Sequence, residues 1–229
     1  MKVVGTVTRY YNGPLYKSAY IKDKTIEIAK TSNISLISLP ITKKVRLIDD
    51  MLLKLDGLYI TGNEEVNPFL FLENPIDNMS KFDILQDEVE LLYIERAIKN
   101  NIPLLLCGRG LNLLNIYFGG DLYRSIEKQH KSYLYHRGKE EKTYHLINLG
   151  KDTFLEKTFL KENLTVPSNH KQAIRILGDK MKIVATSSDG IIEAVEPIDS
   201  TNKYLGLQFT LEDFEEGAVI LDKFFNRRP

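Results

Sequence analysis

The sequence predicts an α/β fold with a central, mostly parallel sheet flanked by helices and with antiparallel strands in the C-terminal half. Short β-rich runs alternate with longer helical patterns in the first half of the chain, as expected for parallel strands joined by helices. Beyond residue 140 the strands follow one another through close turns, notably Ser188-Asp189-Gly190. The length of 229 residues suits one domain over 1–229.

The elements follow from hydrophobic periodicity. Apolar runs rich in β-branched residues predict strands, and apolar residues at helical spacing predict helices. In the first half the predictions are strand 3–8, helix 19–32, strand 34–39, helix 43–55, strand 58–60, loop 64–80 and helix 82–100. Ser80 and Asp83 are predicted to cap the last of these helices.

A buried strand then runs directly into a helix. The continuous apolar run 102–107 is typical of a strand buried on both faces, and Gly108-Arg109-Gly110 turns it into helix 111–118. The remaining predictions are strands 144–149, 181–186, 191–195 and 204–209, and a closing helix 212–225.

Composition excludes several functional classes. The 31 basic and 31 acidic residues give zero formal net charge, which argues against a nucleic-acid binder. Cys107 is the single cysteine, so no intrachain disulfide can form and an oxidising compartment is not indicated. The first apolar run is too short for a signal peptide, and no run approaches the roughly 20 apolar residues of a membrane helix. We therefore expect a cytoplasmic protein without a membrane partner.

The strand-turn-helix from Pro103 to Asn112 has the arrangement of a nucleophile elbow. Such a sharp turn lifts one side chain above the sheet edge, and N–H groups at the helix start can hold an oxyanion. Other short motifs occur in a fixed order around it. They are Asp56-Gly57-Leu58-Tyr59-Ile60-Thr61-Gly62-Asn63, then Asp87 and Glu90, Gly119-Gly120, Val166-Pro167-Ser168-Asn169-His170-Lys171-Gln172, Asp189-Gly190 with Glu193-Ala194, and Leu205-Gly206-Leu207-Gln208-Phe209-Thr210-Leu211-Glu212.

Together these motifs make nearly the whole chain resemble the γ-glutamyl-γ-aminobutyrate hydrolase branch of the class I glutamine amidotransferase-like superfamily. The resemblance implies a flavodoxin-like class I glutamine amidotransferase fold and hydrolysis of C–N γ-glutamyl amide bonds by a Cys-His-Glu triad. Members of that family often pair up, so a homodimer is an expectation from the resemblance alone. No cofactor is expected.

The chain departs from that family where the chemistry should lie. Gly108 stands at the nucleophile position, Thr210 at the histidine position, and only Glu212 of the triad remains. Neighbouring strand residues face opposite sides, so Cys107 is expected to be an inert core residue. Glycine accepts the strained elbow conformation without a side chain, so the turn can persist when catalysis is lost.

The resemblance also suggests a ligand pocket for a glutamate-like or γ-glutamyl small molecule. Its expected lining residues are Asn63, Arg109, Asn112, Ser168, His170 and Gln172. For the loop with His170, local Ser/Asn turn bonding is an equal alternative to ligand contact. His130, His136 and His145 show no metal-ligand spacing, so the sequence favours solvated or turn-bonded histidines and no metal site.

Three functions remain open at this point. The leading hypothesis is a catalytically inactive homologue that keeps a ligand-binding or partner-binding role. The second is a hydrolase of γ-glutamyl amide bonds that works by an altered mechanism, although no base can be identified. The third is a structural role in which side chains fill the former pocket.

Overall fold

The computed structural model describes residues 1–12, 17–75, 82–131, 134–138 and 143–226. Thirteen strands lie within these residues. They are β1 (Lys2–Val7), β2 (Arg9–Asn12), β3 (Lys17–Tyr20), β4 (Ile34–Leu39), β5 (Gly57–Ile60), β6 (Leu104–Cys107), β7 (Asp121–Tyr123), β8 (Thr143–Leu149), β9 (Asn163–Ser168), β10 (Ala173–Ile176), β11 (Met181–Ser187), β12 (Ile192–Pro197) and β13 (Tyr204–Leu207).

Seven α-helices lie in the same residues, with short 3-10 turns at Pro68–Phe71 and Leu211–Asp213. The helices are α1 (Asp23–Thr31), α2 (Val45–Leu52), α3 (Ile84–Lys99), α4 (Arg109–Tyr117), α5 (Ile126–Gln129), α6 (Phe154–Phe159) and α7 (Gly217–Phe225). No helix in this part of the chain is both long enough and apolar enough to cross a membrane.

Nine strands form one mixed sheet in the order β4-β1-β5-β6-β13-β12-β11-β8-β9. The first five in this order are parallel to their neighbours, and the pairs from β13 to β9 are antiparallel. By order of appearance the parallel strands run 2-1-3-4-5, which is the flavodoxin-like order. The predicted fold class and the change to antiparallel strands are therefore confirmed.

Helices cover both faces of this sheet, and alternate residues of one strand face different cores. Tyr59 and Leu105 pack with α7, whereas Leu58 and Leu104 pack on the side of α2, α3 and α4. This alternation follows from the period of two in a strand. Because both faces are covered, the sequence of a fully buried strand such as β6 is apolar at every position.

The sequence placed the start of the first helix too early. Ala19 and Tyr20 pair with β2 in a small antiparallel sheet, and α1 begins at Asp23 because Lys22 has an extended backbone. Helix α3 begins at Ile84, where Asp83 accepts a hydrogen bond from the Gln86 N–H at 3.1 Å. Asp83 is thus the capping residue, and its predicted partner Ser80 lies outside the described residues.

Candidate active site: the turn at Gly108

The carboxyl ends of β5, β6 and β13 lie next to one another at one edge of the sheet. Ligands of open α/β sheets bind at this edge, because loops and helix N-termini converge there. The residues that follow the three strands are Thr61-Gly62, Gly108 and Gln208. The motifs singled out in the sequence are thereby brought together.

Gly108 forms the sharp turn between β6 and α4. Its backbone has φ of 57° and ψ of −114°, and its N–H donates to the carbonyl of Leu207 at 2.8 Å. This is the left-handed half of the backbone map, which side chains rarely adopt. The predicted elbow is therefore present, with glycine at its apex.

The space where a nucleophile would begin is filled by a carbonyl group. A Cβ atom added to Gly108 would lie 2.1 Å from the backbone oxygen of Gly62 and 3.3 Å from Oδ1 of Asn63. The same Gly62 oxygen accepts the Arg109 N–H at 2.8 Å. An oxyanion requires free donors, so this first N–H of α4 becomes available only if the Gly62 peptide moves.

The segment that carries Gly62, residues 61–67, is here called the oxyanion loop. Arg9 donates to the Thr61 carbonyl at 2.6 Å. The Gln172 amide makes both hydrogen bonds to the Val66 backbone, at 2.7 and 2.9 Å. Because the loop is bonded at both ends, the Gly62 carbonyl is held in place.

Little open volume remains beside the turn. The cavity between the oxyanion loop, Gly108 and His170 measures about 10 Å³, close to the smallest space that holds one water molecule. Two buried amide side chains line it, and Oδ1 of Asn112 and both polar atoms of the Gln208 amide have no hydrogen-bond partner among the described residues. The geometry leaves a polar site of about one water molecule.

The two other triad positions, Thr210 and Glu212, do not line this cavity. The Thr210 hydroxyl donates to Asp213 at 3.3 Å. The Glu212 carboxylate accepts hydrogen bonds from Thr25 at 2.9 Å and Thr61 at 3.0 Å. Glu212 therefore ties α1 to the oxyanion loop.

Cys107 lies in the core, as predicted. It is completely buried on the side of the sheet that packs against α7. Burial raises the pKa of its thiol well above the ordinary value, and the nearby Glu212 charge raises it further. The thiolate that a nucleophile needs is thus strongly disfavoured.

The residues predicted to contact a ligand are mostly engaged with the protein itself. Arg109 is buried and forms ion pairs with Asp87 at 2.5 Å and Glu90 at 2.8 Å. Ser168 donates to the His136 carbonyl at 2.9 Å, away from the turn. Asn63, Arg109, Asn112, His170 and Gln172 do line the small cavity. Ligand binding by this set stays a prediction.

Comparison with known proteins identifies the family. A family model described as Peptidase C26 matches residues 4–212. The chain belongs to the peptidase C26 family. The glutamine amidotransferase-like protein YvdE of Lactococcus lactis subsp. lactis (strain IL1403) is 32% identical over 204 residues, which cover 86% of this chain and 85% of YvdE. Gamma-glutamyl-gamma-aminobutyrate hydrolase PuuD of Escherichia coli K12 is 30% identical over 162 residues, covering 67% of this chain and 63% of PuuD.

Solved structures show the same fold at low identity. The glutaminase domain of Trypanosoma brucei CTPS, crystallised with acivicin, has a TM-score of 0.66 at 12% identity and covers 100% of this chain and 95% of that one. A glutamine amidotransferase from Thermotoga maritima has a TM-score of 0.60 at 16% identity and covers 97% and 82%. These structures show the fold, and together with the Peptidase C26 match and the relatives named glutamine amidotransferase-like they confirm the resemblance to class I glutamine amidotransferases.

The peptidase C26 chain also contains a buried polar group that the sequence did not predict. His136, His145 and His170 lie together around Glu193, and these four residues are here called the histidine cluster. The expectation of solvated histidines is wrong for His136 and His145, which are buried, although His136 does contact Asp189 of the turn 188–190. His130 lies outside the cluster and its Nε2 contacts the Asp189 carbonyl at 2.8 Å.

The cluster comes from four separate elements, which is why spacing did not reveal it. His136 lies in segment 134–138, His145 on β8, His170 after β9, and Glu193 on β12. One signal was available, because His145 shares the inward face of β8 with Ile147. Burial lowers the pKa of His170 well below its ordinary value, with nearby His136 as a further cause, and burial raises the pKa of Glu193.

Proposed function

We propose that this peptidase C26 member does not hydrolyse γ-glutamyl amide bonds through a covalent intermediate and serves instead as a binding protein. Its ligand would be a small γ-glutamyl or amino-acid-like molecule. The observation that carries the proposal is the Gly62 oxygen, which lies 2.1 Å from the position of a Cβ on Gly108 and accepts the Arg109 N–H. A nucleophile and an oxyanion would both need that space.

Ligand binding at this edge requires the oxyanion loop to move. Sites for small organic ligands enclose roughly 300 Å³ or more, whereas about 10 Å³ is open beside Gly108. The unpaired amide atoms of Asn112 and Gln208 favour a polar occupant, since buried polar groups without partners are costly. Rotation of the Gly62 peptide would free the Arg109 N–H for a carboxylate or amide oxygen.

The test combines a turnover assay with a binding assay. Pure protein is incubated with glutamine or γ-glutamyl-γ-aminobutyrate, and released glutamate is measured beside PuuD as the active reference. We expect no release above the blank. Thermal shifts with glutamate and γ-glutamyl-γ-aminobutyrate then measure binding, and Asn112→Ala should abolish any shift.

Several outcomes would overturn the proposal. Turnover abolished by Cys107→Ser would show that the core thiol is a nucleophile, and turnover that survives this change would indicate a hydrolase with an altered mechanism. The absence of any thermal shift would favour a purely structural role.

Gly108→Cys should stay inactive, because a thiol without an imidazole is mostly protonated at neutral pH. Gly108→Cys with Thr210→His is the smallest change that returns both triad side chains, and it can restore hydrolysis only if the Gly62 carbonyl moves away from residue 108.

The cellular setting belongs to the same proposal. We expect the protein in the cytoplasm, because its single cysteine is a free core thiol and a reducing compartment suits such a residue. A homodimer is expected from the family resemblance, and sedimentation of the pure chain would test it.

A further inference from the structure

Four ring and carboxylate atoms converge inside the antiparallel half of the sheet. His145 Nε2 lies 3.2 Å from Glu193 Oε1. His136 Nδ1 lies 3.3 Å from His170 Nε2, and these two nitrogens lie 3.7 and 3.8 Å from the same Glu193 oxygen. Glu193 is completely buried, and the three rings are nearly so.

The hydrogen bonds outside the cluster fix which ring atoms face inward. His170 Nδ1 lies 3.1 Å from the Gln172 carbonyl, which can only accept, so this nitrogen carries the proton and Nε2 has a lone pair. His136 Nε2 lies 2.9 Å from the Asp189 carboxylate, which makes this nitrogen a donor. In neutral rings, two lone pairs would then face each other across 3.3 Å. Such an arrangement calls for a positive charge between them.

A proton on His136 would satisfy that pair but not the other half of the cluster. His145 Nε2 and Glu193 Oε1 approach each other at 3.2 Å without good hydrogen-bond geometry. His145 Nδ1 and Glu193 Oε2 have no hydrogen-bond partner in the described part of the chain. Buried polar atoms left without partners cost about 1–3 kcal/mol each, and more when charged. One cation bound by all four side chains satisfies the inward-facing atoms together.

We propose that the histidine cluster binds one divalent first-row transition metal ion, with Zn²⁺ as the expected ion. Imidazole and carboxylate are ligands that Zn²⁺ accepts, and four protein ligands make a closed structural site. Bonds of about 2.0–2.1 Å to a tetrahedral ion place neighbouring ligand atoms about 3.4 Å apart. Four of the six separations among these atoms lie on both sides of this value, from 3.2 to 3.8 Å. The ligand atoms of His136, His145 and Glu193 all lie within 4.8 Å of one another, so the cluster would contract around the ion.

The surroundings fit such an ion. Asp189 and the Gln172 carbonyl bond the outer nitrogens of His136 and His170, as carboxylates and carbonyls do around bound zinc. His136 and His170 also line a cavity of about 850 Å³ that gives a path for the ion. The ion would join segment 134–138 to β8, β12 and the residue after β9. This inference does not depend on the proposed function.

The experiment uses the untagged full chain after removal of metal by a chelator and dialysis. Zinc sulfate is added, bound zinc is counted by mass spectrometry, and unfolding is followed by heat. We expect one zinc per chain. At 100 times the dissociation constant, Tm should rise by about 5–11 °C. Tetrahedral Co²⁺ should give intense visible absorption that zinc abolishes.

Matched variants separate this site from adventitious binding. Glu193→Gln keeps the shape of the side chain, and His145→Gln removes one inward nitrogen; each should lose zinc binding by at least 100-fold. Asp189→Asn should weaken it roughly 10–100-fold, and His130→Ala should leave it unchanged. Folding of every metal-free variant is checked by circular dichroism. Zinc that binds at less than one per chain, or equally well in His145→Gln and Glu193→Gln, overturns the proposal.

Discussion

The turn at Gly108 and the histidine cluster are both buried and polar, but they satisfy their polar groups in different ways. At the turn, the Arg109 N–H is bonded to the Gly62 carbonyl, and the Arg109 side chain is paired with two carboxylates. In the cluster, His145 and Glu193 contact each other at 3.2 Å, but none of their polar side-chain atoms makes a well-formed hydrogen bond among the described residues. The two regions are nevertheless neighbours, since the Gln208 N–H donates to the Glu193 carbonyl at 2.8 Å.

The difference indicates which region needs a further molecule. A site whose donors bond to its own backbone is stable when empty, whereas unpaired buried atoms require an ion, a proton or water. By this criterion the backbone of the turn at Gly108 is self-contained, and only the amides of Asn112 and Gln208 leave polar atoms for a small occupant there. The cluster has the properties of a site built for an occupant. Substitutions at Arg109, Gly108 and Glu64 test that contrast.

Removal of the Arg109 side chain should have the largest effect. Arg109→Met would remove the buried cation between Asp87 and Glu90, and all three side chains are almost fully buried. Among the described residues, Asp87 would keep only the Asn67 N–H, and Glu90 the Gln86 amide and Arg9 at 3.7 Å. Breaking a buried ion pair on one side typically costs about 3–5 kcal/mol. We therefore expect a loss of that size in the free energy of unfolding, measured with urea.

Arg96→Met is the matched control, because Arg96 makes a similar two-bond pair with Asp49 nearer the surface. Its loss should be much smaller. Equal losses of unfolding free energy in both variants would mean that the Arg109 ion pairs contribute little to stability. Contact with a ligand would then be the better explanation of Arg109.

Gly108→Ala should have the next largest effect. Its methyl group would meet the Gly62 oxygen at 2.1 Å, and its φ of 57° strains any side chain. Backbone strain and overpacking each cost about 1–3 kcal/mol. Together they predict a loss of about 2–6 kcal/mol in the free energy of unfolding, again from urea titration.

Gly119→Ala isolates the collision from the strain. Gly119 also has a positive φ of 79°, but a Cβ there meets nothing within 4 Å. This variant should lose about 1–2 kcal/mol. If Gly108→Ala proved no worse than Gly119→Ala, the Gly62 peptide would move easily, and the turn would be an open site after all.

The parallel strands could be predicted from the sequence because their signals are local. The run Leu104–Cys107 is apolar at every position, and the sharp turn needs glycine at 108. The start of α1 could not be placed, because Ala19 and Tyr20 pair with β2, and no periodicity in the helical segment reveals that contact.

The sequence could not predict that the turn at Gly108 is blocked or that the histidine cluster forms, because both depend on contacts between distant parts of the chain. The orientation of the Gly62 carbonyl depends on Arg9 and Gln172, which contact the oxyanion loop from other parts of the chain. The cluster depends on which faces of β8 and β12 turn inward. Pattern and resemblance gave the position of Gly108, but tertiary contacts determined what faces it.

The smallest predicted effect concerns Glu64, which helps to hold the oxyanion loop from outside. Burial opposes ionisation of this side chain, but Arg9 and Lys22 lower its pKa from 4.5 to about 2. A lowered pKa stabilises the folded state above the unfolded value of 4.5, and this contribution is lost as the pH falls towards 2. The difference in unfolding free energy between the wild type and Glu64→Gln should therefore be largest above pH 5 and shrink between pH 4.5 and 2.

Salt provides the control for this prediction. The side chain of Glu64 is 38% exposed, so about 1 M salt should screen its ion pairs and reduce the difference. Denaturation curves at five pH values, with and without salt, measure both effects. A difference that stays constant with pH would show that these charges do not hold the loop. The fixed position of the Gly62 carbonyl would then rest on Arg9, through its bond to Thr61, and on Gln172.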